Sequence, residues 1–446
     1  MRPKAQEISH CDDLFRSRLD QIIDLKHALV LLSEKIDWSS LDEQVGIFYK
    51  EKGRPAIPSR LLIGLHLLKE MYNLSDETVC ERWIENPYYQ YFCGETYFQY
   101  QLKMDRSSMT RWRKRVSPSL IEKLLQESLR VAREEKALKP IHCKRVVADT
   151  TVQPKAIAFP RDARTQYIAI KHLVKLAKAQ GIELRQSYLR VCKRALTKSG
   201  RYRHAKQLKR AKREEAFIRV RLSRLIRDIE RKIKGGFDLE QILSEPLLKA
   251  KQVRDQVQKR KNKLYAWHAP EVVCISKGKA GKAYEFGSKV SVTTNINKAP
   301  GGHFVFHIDA LEGNPYDGHT LDSALEKTEE NTGTNVERVY VDRGYQGHRC
   351  EDYSVYRSGQ KRGVVGSIKK ELKRRPVVEP VIGHLKSEGR LDRNYLYGRV
   401  GDQMNAGLVA VGHNFRLLLK WLPKKINARI YEVLERLLAS FFVVAV

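Results

Sequence analysis

The sequence predicts an α/β protein in which a mixed sheet, flanked by helices, follows an all-helical region and is interrupted by a basic helical insertion. Helical periodicity dominates at first, strand patterns begin near residue 143, and an amphipathic basic stretch separates the first strand from the next. With 446 residues and 42% hydrophobic composition, the chain can bury a sizeable core. The predicted parts are a helical N-terminal domain (1–136), a sheet-containing core (137–159 and 270–425), the insertion (160–269) and a C-terminal helix (426–446).

The charge is strongly positive. The chain carries 84 Lys and Arg against 52 Asp and Glu, a formal charge of +32. This favours nucleic acid or an acidic membrane surface as a partner, with a merely soluble or ribosome-associated basic protein as the alternative. The N-terminal MRPKAQEISHCDD lacks the apolar core of a signal peptide, and the C-terminal LLASFFVVAV is too short to cross a bilayer, so no membrane partner is expected.

The N-terminal domain contains two predicted helical pairs. In PSRLLIGLHLLKEMYNLSDETVCERWIENP, two helices are separated by a break at Asn73 to Ser75, and Ser75 is suited to cap the second helix. The next pair begins with DRSSMTRWRKRV, where Arg111, Arg113 and Arg115 surround a tryptophan. Basic residues beside an aromatic favour a helix that faces DNA, and a solvated charged face is the alternative.

Four strand patterns define the core. They are HCKRVVADTTVQ, AYEFGSKVSVTTNI, HFVFHIDAL and VERVYVD. We expect three antiparallel strands and then a crossover that places the fourth parallel to the first.

The insertion is amphipathic. Residues 161–270 carry 31 basic and 10 acidic residues, a net charge of +21. Apolar residues recur at helical spacing between Leu222 and Ile233, and breaks are predicted at Ser199–Gly200 and Gly235–Gly236. Two or three basic helices that hold DNA are the favoured interpretation, and a solvated coiled-coil spacer is the alternative.

Three acids are the candidate catalytic residues. Asp149 and Asp342 each end an apolar run, so neighbouring strands would bring them together, and Glu379 lies near the start of a predicted helix. Adjacent carboxylates repel each other, and a bound cation relieves that repulsion. Carboxylates without His or Cys favour Mg²⁺ or Mn²⁺, and two ions about 3.5–4 Å apart would activate water and stabilise a leaving oxygen. The alternative is that each acid is an ordinary turn or helix-start residue.

Basic residues near the acids are the candidate phosphate ligands. Arg375 and Lys386 flank Glu379, at spacings that approach one helix face. Lys279 and Lys282 lie in the glycine-spaced loop SKGKAGKAYEFG. Thr151 is placed to orient Asp149 by a hydrogen bond, or simply suits a strand.

At these residues the chain resembles the DDE transposases of bacterial insertion sequences, of the kind named for insertion sequence five. The resemblance spans most of the chain. It is carried by GRPAIPSRLLIGLHLLKEMYNLSDETV, VVADTTVQ, LYAWHAPEVVCISKGKAGKAYEFGSKVSV, GNPYDGHTL, VYVDRGYQG, EPVIGHLKSEGRLDRNYL and DQMNAGLVAVGHNFRLLLKWL.

The resemblance implies a ribonuclease-H-like core in which Asp149, Asp342 and Glu379 form the catalytic triad. It also implies metal-dependent hydrolysis at transposon ends and attack of the freed 3′-hydroxyl on target DNA. Relatives carry a Tyr, Arg, Glu, Lys signature; Arg375, Glu379 and Lys386 match it, whereas Leu372 stands at the tyrosine position. Some relatives carry a long insertion between the second Asp and the Glu, but here it follows the first Asp.

Together these observations predict a DNA transposase that recognises terminal inverted repeats and acts as a homodimer or larger assembly on DNA. An odd number of cysteines (seven) without a CxxC pair favours a reducing compartment. We therefore expect the bacterial cytoplasm, at the nucleoid. The alternatives are a structure-selective nuclease on the same core and a non-catalytic DNA-binding protein descended from a transposase.

Overall fold

A computed structural model describes residues 17–49, 56–256, 263–279 and 282–444, with residues 277–279, 282 and 427–444 described by their backbone alone. The predictions for the N-terminal segment, for the side chains of Lys279 and Lys282 and for the C-terminal apolar run therefore lie outside the described residues or side chains. The chain forms two compact units, one of residues 1–154 with 289–446 and one of residues 155–288. Within the described residues, no helix has the length and apolarity that a bilayer-spanning segment requires.

Nine helices precede the first strand in the described part of the chain. The predicted break between α4 and α5 is confirmed, because the Ser75 side chain accepts a hydrogen bond from the Thr78 backbone and caps α5. The helices are α1 (Leu19–Ile22), α2 (Ala28–Lys35), α3 (Trp38–Gly46), α4 (Ser59–Met71), α5 (Asp76–Glu85), α6 (Pro87–Phe92), α7 (Ser107–Arg115), α8 (Pro118–Glu134) and α9 (Pro140–Cys143).

The second unit consists mainly of four helices that follow β1 (Arg145–Pro154): α10 (Asp162–Ala179), α11 (Leu189–His204), α12 (Leu208–Ile233) and α13 (Phe237–Arg254). Their apolar faces form a core of their own, to which Leu222, Leu225 and Ile229 of α12 contribute. This agrees with the helical spacing in the sequence. The unit also includes β2 (Val273–Lys279), which pairs antiparallel with the first part of β3 (Lys282–Asn295).

Two details of the insertion differ from the prediction. The break at Gly235–Gly236 is present, between α12 and α13, but α11 continues through Ser199 and Gly200. Ser199 is buried and donates to Glu215 Oε1 at 2.9 Å, so packing against α12 maintains the helix there. The compact unit also exceeds the predicted 160–269, because the β2–β3 pairing adds residues on the C-terminal side.

In the first unit, the sheet continues with β3, β4 (Val305–Leu311), β5 (Arg338–Val341) and β6 (Ser354–Arg357). β3 neighbours β1, β1 neighbours β5 and β5 neighbours β6, while β4 pairs antiparallel with the second part of β3. β1 and β5 are parallel, with Arg145 opposite Arg338. The predicted crossover to a parallel fourth strand is therefore confirmed, through α14 (Leu321–Thr332).

The N-terminal helices and the sheet share one hydrophobic core, so residues 1–136 are not a separate compact unit. The last helices are α15 (Gly366–Arg374), α16 (Val378–Ser387) and α17 (Gly398–Val444). α17 is continuous where a separate helix from 426 was predicted. Pro423 lies inside it.

Candidate active site

Two of the three predicted acids lie level with each other on neighbouring parallel strands. The register pairs Val147 of β1 with Tyr340 of β5. Continuing it by two residues along each chain brings Asp149 level with Asp342. Asp149 lies within β1, whereas Asp342 follows the last residue of β5 and accepts a hydrogen bond from the Arg343 backbone at 2.6 Å. The parallel pairing of β1 and β5 is thus the structural cause of their proximity.

The third acid is brought to the same place by a small apolar cluster. Val378, the first residue of α16, packs with Val147 of β1 and Tyr340 of β5. Glu379 follows it in the first helical turn. The predicted helix start near Glu379 is confirmed, because α16 begins at Val378. Pro376 and Pro380 account for this start, since proline is tolerated before a helix and in its first turn but not in its interior.

A buried carboxylate holds the preceding helix against the same strands. Glu371 of α15 is paired with Arg145 at 2.7 Å and with Arg338 at 3.3 Å, and it accepts a hydrogen bond from the Tyr340 hydroxyl. Arg375 follows one turn later, in a 3-10 turn between α15 and α16. These contacts fix the backbone that carries Arg375.

All three acids converge on the guanidinium of Arg375. Its Nη2 lies 2.8 Å from Asp149 Oδ2 and 3.9 Å from Asp342 Oδ2, and its Nη1 lies 3.6 Å from Glu379 Oε1. The Arg375 side chain is only 9% exposed, and in this structure it lies among the carboxylates. Residues that are 230 positions apart in the chain (149 and 379) thereby meet at a single cation.

The environment of Asp149 disfavours its charge. Burial raises the pKa of this carboxyl, while the Arg375 charge and the Thr150 backbone N–H, 2.8 Å away, act in the opposite direction. The nearby charges of Asp342 and Asp317 raise the pKa further. The attraction of Arg375 therefore does not fully offset the burial of Asp149 and the repulsion from its acidic neighbours.

The donor set suits a hard divalent cation, because it consists of carboxylate oxygens. Within the described residues, no group of three or more His, Cys, Asp or Glu side chains is already arranged around a common metal position. The space between the acids is taken by Arg375, the positive charge that partners them here.

A fourth acid, Asp317, borders this site and was not predicted from the sequence. It accepts a hydrogen bond from the Thr150 hydroxyl at 2.8 Å and forms a 2.6 Å ion pair with Lys289. A Cβ at Gly344 would lie 3.3 Å from its Oδ2, so glycine allows the turn after Asp342 to approach. Thr150, and not the predicted Thr151, therefore links Asp149 to the neighbouring acid.

Tyr345 adds a buried polar group. It is almost fully buried, and among the described residues its hydroxyl has no hydrogen-bond partner. Burial raises the pKa of Tyr345, and the charges of Asp149 and Asp317 raise it further. The phenol is therefore neutral and lies within electrostatic range of the acids.

Comparison with known proteins shows which family the chain is related to. Residues 17–115, which include α1 to α7, match the model of a transposase domain (DUF772). The uncharacterised protein ORF8 in the nfe locus of Rhizobium meliloti is 51% identical over 207 residues, which are 46% of this chain and 100% of that protein. The chain belongs to a transposase family. No solved structure matches it.

Within the transposase domain, the three predicted DNA-contacting arginines of α7 have different environments. Arg111 and Arg115 are exposed, and Arg115 lies over the Tyr49 ring at 5.1 Å. Arg113 is buried, and its Nη1 donates to Asp76 Oδ1 at 3.0 Å. Arg113 therefore lies on the inward face of α7, away from the exposed side on which DNA contact was predicted. A buried stripe of Met109, Trp112, Arg113 and Val116 at helical spacing indicates the inward face.

The remaining predicted phosphate ligands, Lys386, Lys279 and Lys282, are not among the three residues whose ion pairs with Arg375 define this site. Lys386 lies about two turns after Glu379 on α16 and is half-buried. Lys279 and Lys282 pair with each other across the β2–β3 hairpin, in the unit that does not contain the acids.

A basic groove of about 620 Å³ borders the start of β1. Four cationic side chains line it, and its acidic lining residue, Glu371, is already engaged with arginines. The cations are Arg145, Lys298, Lys370 and Arg374.

Proposed function

We propose that this protein is a DNA transposase that cleaves transposon ends in a metal-dependent reaction and joins the freed 3′-hydroxyl to target DNA. The observation that carries the proposal is the convergence of Asp149, Asp342 and Glu379 on Arg375. The match to a transposase domain supports it, as does the charge of +32.

We further propose that the catalytic core is ribonuclease-H-like. The support is the order of its elements: strands β1, β3 and β4 are followed by a helix and by β5, which lies parallel to β1. This is the connection that the order of the strand patterns in the sequence predicts. The acids follow the same order, on β1, after β5 and on α16.

In this proposal, Asp149, Asp342 and Glu379 hold Mg²⁺ or Mn²⁺, most simply as two ions. Bound metal would lower the pKa of water and stabilise the leaving oxygen. The acids supply the negative charge, and Arg375 supplies a positive group that keeps them together when they hold no metal. Its charge and position also suit an oxygen of the reacting phosphate once it leaves the carboxylates.

DNA would be held by three basic surfaces. The N-terminal transposase domain, with Arg111 and Arg115 exposed on α7, would recognise terminal inverted repeats. The groove beside β1 would hold backbone phosphate, and the basic helices of the second unit would hold flanking or target DNA. Pairing two transposon ends requires at least two protomers, so a dimer on DNA in the bacterial cytoplasm completes the proposal.

A strand-transfer assay tests this function. Full-length protein is incubated with Mg²⁺, a duplex made from the DNA that flanks its gene, and a target plasmid. Wild-type protein should cut the duplex and join pre-cleaved 3′-hydroxyl ends to the plasmid. Cutting without joining would favour the nuclease alternative, and DNA binding without either reaction would favour the non-catalytic alternative.

The substitution Asp149→Asn distinguishes catalysis at this site from DNA binding. We expect it to lower the cleavage rate by more than about 100-fold, the typical effect of removing a catalytic group. The affinity for the duplex should stay within twofold of wild type. Glu337→Gln, at an exposed acid four residues before Val341, is the matched control and should keep full cleavage. Strong residual cleavage by Asp149→Asn would remove this residue from the site.

A further inference from the structure

The segment that joins α16 to α17 exposes two aromatic side chains on a rigid support. Tyr395 is 67% exposed and Tyr397 is 71% exposed. Leu396, between them, packs against the main hydrophobic core. Because the burial alternates along the segment, the two rings lie on the side that faces away from the core.

The support is fixed by buried polar contacts. Asn394 is fully buried; its backbone N–H donates to the Pro154 carbonyl at 2.8 Å, and its side-chain amide donates to Asp402 Oδ1 at 2.5 Å. The Leu396 N–H donates back to Asn394 Oδ1 at 2.8 Å. Gln153, also fully buried, donates to the Asp402 carbonyl at 3.2 Å. The exposure of the tyrosines is therefore built into the fold and does not come from a loosely held loop.

Two elements connect this segment to the candidate active site. The segment follows α16, which carries Glu379, and it is attached to the end of β1, which carries Asp149. Pro154 lies five positions after Asp149 in the strand, a span of about 16 Å. That span corresponds to about five base pairs of B-form DNA.

The local charge favours an anionic ligand that also has flat apolar faces. Arg393 donates to the Tyr395 hydroxyl at 3.3 Å and keeps its charge at the surface. Arg399, beyond Tyr397, is 62% exposed and forms a solvent-exposed ion pair with Glu312, which a phosphate can replace. Aromatic rings with neighbouring guanidinium groups match a nucleic-acid strand, whose bases stack while its phosphates pair with arginine. In a paired duplex the base faces are covered by their neighbours, so the rings suit unpaired bases.

We propose that Tyr395 and Tyr397 form a stacking platform for unpaired nucleobases of the DNA strand that is cut or displaced at the active site. This inference rests on the proposed function. It adds that the DNA substrate includes a single-stranded segment, which recognition of the duplex transposon ends does not require. The two tyrosines bind the bases, and Arg393 and Arg399 bind the adjacent phosphates.

The test measures binding without catalysis. Full-length protein in EDTA is titrated into a 20-nucleotide thymine-rich single strand that carries one 2-aminopurine, and separately into the matching duplex. The double substitution Tyr395→Ala/Tyr397→Ala should weaken single-strand binding by at least about fivefold, since stacking on an aromatic ring contributes that much per base or more. It should also remove the 2-aminopurine quenching, while duplex binding changes less than twofold.

Two further variants separate stacking from other causes. Tyr395→Phe/Tyr397→Phe keeps the rings and should bind the single strand within twofold of wild type. Tyr100→Ala removes a similarly exposed tyrosine from a distant loop and should leave single-strand binding within twofold of wild type. Equal losses for single strand and duplex, or unchanged single-strand binding, would overturn the platform. A change of oligomeric state with unchanged single-strand binding would also overturn it, since the face would then bind protein.

This result is independent of the cleavage assay. If wild-type protein failed to cut DNA while the alanine variant still lost single-strand binding selectively, the platform would stand and the proposed function would fall. If wild-type protein cut and joined DNA while the alanine variant bound single strands normally, the platform alone would fall.

Discussion

Replacing Arg375 with glutamine should reduce stability in a manner that divalent cations reverse. In the structure the Arg375 side chain is 9% exposed and partners three carboxylates. Its loss leaves Asp149 buried without a counter-charge, which should raise the pKa of this carboxyl further. A divalent cation bound by the same acids would supply the missing positive charge.

The magnitude follows from the exposure of each partner. Asp149 is 18% exposed, and removing one member of such a pair costs about 3 kcal/mol, near the lower end of the range for buried pairs. Asp342 and Glu379 are 53% and 67% exposed, so solvent screening reduces each of their contributions to below about 0.5 kcal/mol. Arg375 Nε is buried and has no hydrogen-bond partner in the part of the chain that the structure describes, so its removal offsets about 1 kcal/mol of this loss. The expected net loss is about 2–3 kcal/mol.

Urea unfolding followed by tryptophan fluorescence measures this loss, because four of the five tryptophans lie in the unit that contains the acids. Without divalent ions, Arg375→Gln should unfold at lower urea than wild type. With saturating Mg²⁺, the difference should shrink to below about 1 kcal/mol. Arg374→Gln, at the exposed neighbour, is the control and should cost less than about 0.5 kcal/mol. An Arg375→Gln deficit that Mg²⁺ leaves unchanged would refute the reasoning.

Three further predictions concern single side chains. Arg113→Ala should cost about 3 kcal/mol at pH 7, whereas Arg111→Ala should leave stability unchanged and weaken DNA binding. Burial would raise the pKa of Asp76, but hydrogen bonds and charges, mainly from Arg113, outweigh burial and lower it. The stability deficit of Arg113→Ala should therefore shrink as the pH falls below about 3.9, the unfolded pKa, and vanish below the lowered folded pKa, as pH-dependent urea unfolding will show. Lys370→Ala should reduce the slope of log K against log salt for duplex binding by about 0.9, the value for one lost phosphate contact, and an unchanged slope would remove the groove from the DNA path. Tyr345→Phe should raise stability by about 1 kcal/mol, because it removes a buried hydroxyl without a partner; a loss of stability would show that the hydroxyl has one.

The sequence identified the elements whose signals are local. The cap at Ser75, the parallel fourth strand and the start of α16 between prolines were all predicted from nearby residues, and the structure confirms them. The short strands β2 and β6 were missed. β2 contains two lysines and a glycine, which obscure strand alternation, and β6 has only four residues. β2 is defined by its pairing with the longer β3, and β6 by its parallel pairing with β5.

The parts of the site that were missed depend on tertiary packing. Asp317 begins a short 3-10 helix, Asp317–His319, and has no spacing relation to the other acids in the sequence. Its contact with Thr150 exists because the fold brings the two residues together. Arg375 was expected to face phosphate, but the apolar cluster around Val378 turns its guanidinium toward the acids. For Arg113 the helical spacing of its buried neighbours was a usable signal in the sequence.

Titration of Mn²⁺ into full-length protein, followed by calorimetry, tests the central claim most directly. Wild-type protein should bind the ion, and Asp149→Asn, Asp342→Asn and Glu379→Gln should each weaken binding by at least about tenfold, the typical effect of removing one partner from a metal site. Glu388→Gln, a half-exposed acid just beyond α16, should bind as wild type does. Equal Mn²⁺ affinity in all five proteins would contradict the account, because the converging carboxylates would then not be the metal site.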